Sequence, residues 1–254
     1  MQELLSFANA LADESGKIIT RYFRTDFAVE AKADETPVTI ADRTVEAELR
    51  KIIERERPDD GILGEEYGPK ESRNGFTWVL DPIDGTKSFT VGRPSFGTLI
   101  ALCEGDIPVL GVIDQPILKE RWVGDTEVTT FNGKQVMARK CDTLKQARLA
   151  STGPAQLAEL HGEHPLWKKL YAECNYMVWG GDCYSYGLLA NGWLDGVVEQ
   201  FLAPYDFAAL VPIVQGAGGW MSDWEGNMLT LKSEGRTLAL GDPGLKDRMI
   251  GLLT

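Results

Sequence analysis

The chain has 254 residues, 43% hydrophobic and 25% charged, and 26 Lys and Arg against 38 Asp and Glu leave a net charge of −12. That length suits one large domain or two modest ones with a sizeable core. The acidity excludes non-specific nucleic-acid binding and adhesion to anionic membranes, both of which need a basic surface.

The first predicted element is an amphipathic helix, with Leu4, Leu5, Phe7, Ala8, Leu11, Ala12, Ile18, Ile19, Tyr22 and Phe23 at three- and four-residue spacings. It has neither the basic flank nor the continuous apolar run of a targeting segment, and no stretch of the chain is apolar for long enough to span a bilayer. The polar segment AKADETPVT reads as a loop. A second helix follows from Asp42, with Val45, Leu49, Ile52 and Ile53 inward, and Pro58 closes it.

From residue 61 the texture becomes strand-rich: GILGEEYG, FTWVLDPIDGT, SFGTLIALCEG, PVLGVIDQPILKERWVGD and EVTTFNG. After residue 142 strands (RLAST, YMVWGG, LDGVVEQF, TLALGD) alternate with helices (HPLWKKLYAE, DCYSYGLLANG, DFAALVPIVQGAGG). The pattern predicts a layered α/β architecture, with an N-terminal part over 1–142 and a C-terminal part over 143–254. Cys103, Cys141, Cys174 and Cys183 show no CxxC or zinc spacing and are expected to be reduced and buried, which suits a cytoplasmic protein.

Three acidic motifs carry the chemistry: Gly64-Glu65-Glu66-Tyr67-Gly68, Trp78-Val79-Leu80-Asp81-Pro82-Ile83-Asp84-Gly85-Thr86, and Pro204-Tyr205-Asp206-Phe207-Ala208-Ala209 followed by Gly216-Ala217-Gly218-Gly219. Asp81 ends an apolar run that reads as a buried strand, and Pro82 is expected to prevent further pairing. In such a turn Asp81, the Ile83 carbonyl and Asp84 can converge, and Gly85-Thr86 would open a helix whose free N–H groups suit a phosphate. A carboxylate set without His or Cys selects Mg²⁺, Mn²⁺ or Ca²⁺ over zinc. Taken singly, Asp84 and Asp206 read as helix N-caps and Glu65-Glu66 as a solvated pair, but DPIDGT as a unit is a costly arrangement without cations.

In their order and spacing these motifs resemble the inositol monophosphatase family of Mg²⁺-dependent, lithium-sensitive phosphatases, from about residue 4 to residue 242. The resemblance implies an α-β-α-β-α sandwich, a homodimer and two or three Mg²⁺ per site, with Mn²⁺ as a substitute. It makes Glu65, Asp81, the Ile83 carbonyl, Asp84 and Asp206 metal ligands. It makes Asp42 the hydrogen-bond partner of Thr86, gives Glu65 and Thr86 the orientation of a metal-activated water, and gives Gly85 and Thr86 N–H groups the phosphate. Lys32 resembles part of a flap beside a weaker cation site. Tyr205 stands where many relatives carry Trp. Pro212 is a second departure, expected to kink its helix or free a carbonyl.

GGDCYSYGLLANGWLDGVVE, PYDFAALVPIVQGAGG and GRPSFGTLIAL…GVIDQPILKERWVG resemble the histidinol-phosphate phosphatase branch more than the inositol branch. That points to Asp182 and Glu199 as partners for a substrate's ammonium and imidazole, with Asp182 equally readable as a helix cap. His161 and His164 read as exposed loop histidines, and no GxGxxG fingerprint supports a nucleotide fold. The alternatives are inositol-1-phosphate, a sugar bisphosphate, 3′-phosphoadenosine 5′-phosphate, or a binding role on the transcription machinery.

Overall fold

The structure is a computed structural model that describes residues 1–26, 29–31, 37–161 and 164–254. Helix α1 (Gln2–Tyr22) buries Ala8, Leu11, Ala12, Ser15 and Ile19, the three- and four-residue stripe expected from its sequence. Strands β1 (Val29–Ala31) and β2 (Pro37–Thr39) pair antiparallel, so the end of the polar segment read as loop is a strand. Helix α2 (Ile40–Glu56) starts two residues before Asp42. Thr39 is its N-cap, and Asp42 at the third position reaches back to the Thr39 N–H, completing a capping box.

The first sheet takes β3 (Gly61–Gly64), β4 (Phe76–Asp84), β5 (Gly97–Glu104), β6 (Ile107–Gln115), β7 (Glu120–Gly124), β8 (Thr129–Phe131) and β9 (Lys134–Val136) in sequential order. Strand β3 runs parallel to β4, and the rest are antiparallel. A short helix α3 (Thr86–Thr90) follows β4.

Beyond residue 142 come β10 (Arg148–Ser151), the pair β11 (Leu160–His161) and β12 (His164–Pro165), α4 (Leu166–Glu173), β13 (Tyr176–Trp179), α5 (Asp182–Ala190), β14 (Gly196–Glu199), α6 (Pro204–Phe207), α7 (Leu210–Gly216), β15 (Trp220–Ser222), β16 (Thr237–Leu240) and α8 (Lys246–Leu253). A second sheet has the order β13-β10-β14-β16-β15, parallel across its first three strands and antiparallel after them.

Three apolar clusters define the layers. Leu11, Ile19, Val45 and Leu49 of α1 and α2 meet Trp78, Leu80, Ile100 and Val112 on one face of the first sheet. Val79, Leu99 and Ile113 on its other face join Tyr186, Leu189, Ile213 and Val214 of α5 and α7, and Ala150, Val197 and Ala239 of the second sheet. Leu149, Val198 and Leu238 then meet Leu166, Leu170, Met249 and Leu253 of α4 and α8. The alternation of Trp78, Val79 and Leu80 between two clusters is the period-two pleat of a strand covered on both faces. The result is the expected α-β-α-β-α sandwich. No described helix is long and apolar enough to cross a membrane, and all four cysteines are buried and free.

One local expectation needs correction. Pairing does not stop at Pro82: β4 pairs Asp81 with Leu99, shifts register, and pairs Asp84 with Gly97. A β-bulge accommodates the proline, which cannot donate to the ladder. The segment DFAALVPIVQGAGG is divided into α6 and α7, although Ala208 and Ala209 keep helical dihedrals between them; Pro212, lacking an N–H, frees the Ala208 carbonyl, as its sequence position implied. That junction lies flush on β6, where a Cβ added at Gly111 would fall 1.9 Å from the Ala209 carbonyl oxygen.

Candidate active site

The bulge in β4 gathers the polar groups of residues 81–86. Asp81 Oδ1 accepts the Ile83 N–H at 3.0 Å, the Thr86 hydroxyl donates to the Ile83 carbonyl at 3.0 Å, and Thr98 Oγ1 donates to the Pro82 carbonyl at 2.9 Å. Asp206 comes from the first turn of α6, where it accepts the Ala203 N–H at 2.7 Å. Asp84 accepts the Cys183 N–H at 2.6 Å. Neither aspartate is the N-cap of its own helix: those positions are Gly85 and Ala203. Asp84 instead satisfies an orphan donor in the first turn of α5, far along the chain.

Asp81, Asp84 and Asp206 each offer an oxygen, and the three oxygens lie within 4.8 Å of one another. Burial, then repulsion from Glu65, Asp84, Asp206 and Asp42, pushes the Asp81 carboxyl far above the usual carboxylate range. Burial and the charges of Asp182 and Asp206 do the same to Asp84. Asp206 is pushed up to about 7, by burial and by Glu65 and Glu199. Buried like charges without a counter-charge are costly. An all-oxygen set of this kind fits a hard divalent cation such as Mg²⁺.

These three aspartates, Glu65, Ile83, Gly85, Thr86, Asp182 and Glu199 all line one cleft of about 370 Å³. Glu65 enters from the loop after β3, its N–H donating to the Leu80 carbonyl at 3.2 Å. A larger groove, about 1080 Å³, runs between α1 and β6–β8, but it contains none of these groups. The carboxylate set therefore belongs to the smaller cleft.

Asp42 departs from expectation. It does not meet Thr86, whose hydroxyl is taken by the Ile83 carbonyl; its Oδ2 is held by the N–H and hydroxyl of Thr39, and its Oδ1 is buried without a hydrogen-bond partner. The helix cap draws its carboxylate toward the α2 N-terminus. Burial, opposed by the Thr39 bonds and aided by Glu65 and Glu66, pushes it up to about 6.

Gly85 has φ of 82°, and a Cβ there would fall 2.7 Å from Asp182 Oδ2, so backbone conformation and space both demand glycine. Asp182 is the first residue of α5, has φ of 45° and makes no capping bond, which removes the helix-cap alternative. Its carboxylate accepts from Ser88 Oγ at 3.2 Å; burial raises its pKa against the pull of Ser88, Arg93 and Lys87. Glu199, at the end of β14, accepts the Thr152 N–H at 3.0 Å, the Thr152 hydroxyl, and the Tyr186 hydroxyl at 2.9 Å. Burial still raises its pKa.

Thr152 and Tyr186 are cleft residues that the sequence gives no reason to select, as are Gln156, Cys183 and Phe201. Tyr205 lines the cleft and packs on the central core, as an aromatic at that position should. His164 is exposed as expected, but it lies on strand β12, paired with His161 of β11, and not in a loop. Lys32 and the side chain of His161 lie outside the described residues.

A model of the inositol monophosphatase family matches residues 1–253, and the chain belongs to that family of metal-dependent phosphatases. Among curated relatives it is similar to the bifunctional phosphatase IMPL2 of Arabidopsis thaliana, 44% identical over 94% of this chain and 69% of the relative. It is also similar to a histidinol-phosphatase of Chlorobaculum parvum, 36% identical over 91% and 90%. Among solved structures, an inositol monophosphatase from Zymomonas mobilis is 46% identical, with a TM-score of 0.89 covering 99% of this chain and 98% of that one.

Proposed function

We propose that this protein is a Mg²⁺-dependent phosphomonoesterase that hydrolyses histidinol phosphate to histidinol and phosphate, a step of histidine biosynthesis. Asp81, Asp84, Asp206, Glu65 and the Ile83 carbonyl would hold the metal, as two or three Mg²⁺ with Mn²⁺ as a substitute, which would supply an activated water and charge neutralisation at the phosphoryl group. Gly85 and Thr86 offer backbone N–H groups to the phosphate. Glu65 and the Thr86 hydroxyl orient the attacking water, and Asp42, held in the Thr39 capping box at the start of α2, adds a negative charge felt at Glu65. The family resemblance adds a homodimer to the proposal.

The observation that carries the substrate is the pair Asp182 and Glu199. Two further carboxylates line the cleft beside the metal set, Glu199 buried and Asp182 half-buried. A cationic ammonium or imidazolium offsets them, whereas a polyol supplies no charge. The histidinol-phosphatase of Chlorobaculum parvum supports the same substrate. Glu199→Gln and Asp182→Asn should raise KM for histidinol phosphate with the Mg²⁺ requirement intact. A changed Mg²⁺ requirement in Glu199→Gln would move that residue into the metal shell and refute its assignment. The Zymomonas mobilis structure favours inositol-1-phosphate as the second reading.

A further inference from the structure

Phe201 stands two residues beyond Glu199 and lines the same cleft. It is 76% exposed, belongs to none of the three apolar clusters, and has φ of 68°. A bulky side chain with left-handed backbone is strained, and an exposed phenyl ring gains nothing from water. Strain of this kind concentrates at ligand sites.

The support beneath the ring is rigid. On one side the Gln200 side-chain amide donates to the Gln156 carbonyl. On the other, the Leu202 N–H donates to the Gly235 carbonyl at 3.1 Å, and the Ala203 N–H to Asp206 at 2.7 Å. A Cβ added at Gly235 would lie 1.9 Å from the Leu202 carbonyl oxygen, so the two segments are in direct backbone contact. Phe201 is thus an aromatic face held in place between anchored neighbours. Gln156 lines the same cleft, and its Oε1 is a buried acceptor without a partner. A buried acceptor of this kind calls for a donor.

A planar ring that carries N–H groups suits both features: its face stacks on Phe201, and an N–H meets Gln156 Oε1 once that side chain turns out of its buried position toward the cleft. A polyol has no such face. We propose that Phe201 and Gln156 form the wall that selects the imidazole ring of the substrate, a role that rests on the histidinol phosphate reading above. Asp182 and Glu199 supply charge, and Phe201 with Gln156 supplies shape and hydrogen-bond direction.

The test is steady-state kinetics on histidinol phosphate and on ringless glycerol phosphate. Wild type is compared with Phe201→Gly, Phe201→Tyr and Gln156→Ala. Glycine suits a φ of 68°, so Phe201→Gly removes the ring without adding strain, and its melting temperature should match or exceed wild type. The preference for histidinol phosphate, as a ratio of kcat/KM, should fall about tenfold, or about 1.4 kcal/mol, in Phe201→Gly, mostly through KM. Gln156→Ala should shift it the same way, and Phe201→Tyr should retain it. Equal losses on both substrates in Phe201→Gly, or an unchanged ratio, would overturn the proposal. A wild-type protein that prefers glycerol phosphate would overturn the substrate reading itself, a failure visible before any variant is made.

Discussion

The carboxylate of Glu46 on α2 occupies the space where a side chain at Gly64 would stand: a Cβ added there would lie 1.9 Å from Glu46 Oε1. Glu46 is fully buried. It accepts the Glu66 N–H at 2.7 Å, the Tyr67 N–H at 3.2 Å and Arg50 Nε at 2.7 Å. Arg50 in turn donates to the Tyr67 carbonyl at 3.0 Å. Helix α2 therefore grips the backbone on both sides of Glu65. Gly64→Ala should displace Glu46, lower stability by about 1–3 kcal/mol as overpacked sites do, and weaken Mg²⁺ binding. Calorimetry on the metal-free protein and a Mg²⁺ titration would check both effects.

Asp84 combines two properties that a single substitution separates. Asp84→Asn keeps an oxygen for the Cys183 N–H and removes one of the clustered charges. Turnover should drop by several orders of magnitude as the cation clamp is lost. The metal-free variant should melt higher than metal-free wild type at pH 8, because a buried like charge is gone. Phosphate release and differential scanning calorimetry measure the two sides.

Stability of the metal-free protein should depend on pH in a set direction. Asp206 rises from 3.8 to about 7 and Asp42 from 3.8 to about 6 on folding. Each carboxyl binds its proton more tightly in the folded state. Its stabilising contribution is therefore full below pH 3.8 and lost as pH rises through 6 for Asp42 and 7 for Asp206. In EDTA the melting temperature should fall between pH 5 and pH 8, and Mg²⁺ should restore it at pH 8. Cation binding must also release protons near pH 7, measurable as a buffer-dependent binding enthalpy.

The layers of the fold and the core of the site were legible for physical reasons. Stripes such as Leu11, Ile19, Val45 and Leu49 are local periodicities, and Asp81, Asp84 and Asp206 sit in motifs whose turn chemistry is written within a few residues. What was hidden depends on distant pairing. Thr152 serves Glu199 across 47 residues, which only the parallel pairing of β10 and β14 brings about. Asp84 meets α5 across 99 residues, which periodicity cannot reveal. The bulge at Pro82 was missed because proline was read as a strand terminator, whereas the register shift against β5 carries the pairing past it.

The central claim is tested most directly by kcat/KM for histidinol phosphate and inositol-1-phosphate on the same preparation, with Mg²⁺ and with EDTA. Histidinol phosphate should be the better substrate, and release of phosphate from either should require Mg²⁺. A higher kcat/KM for inositol-1-phosphate, or turnover of histidinol phosphate undiminished by EDTA, would contradict it.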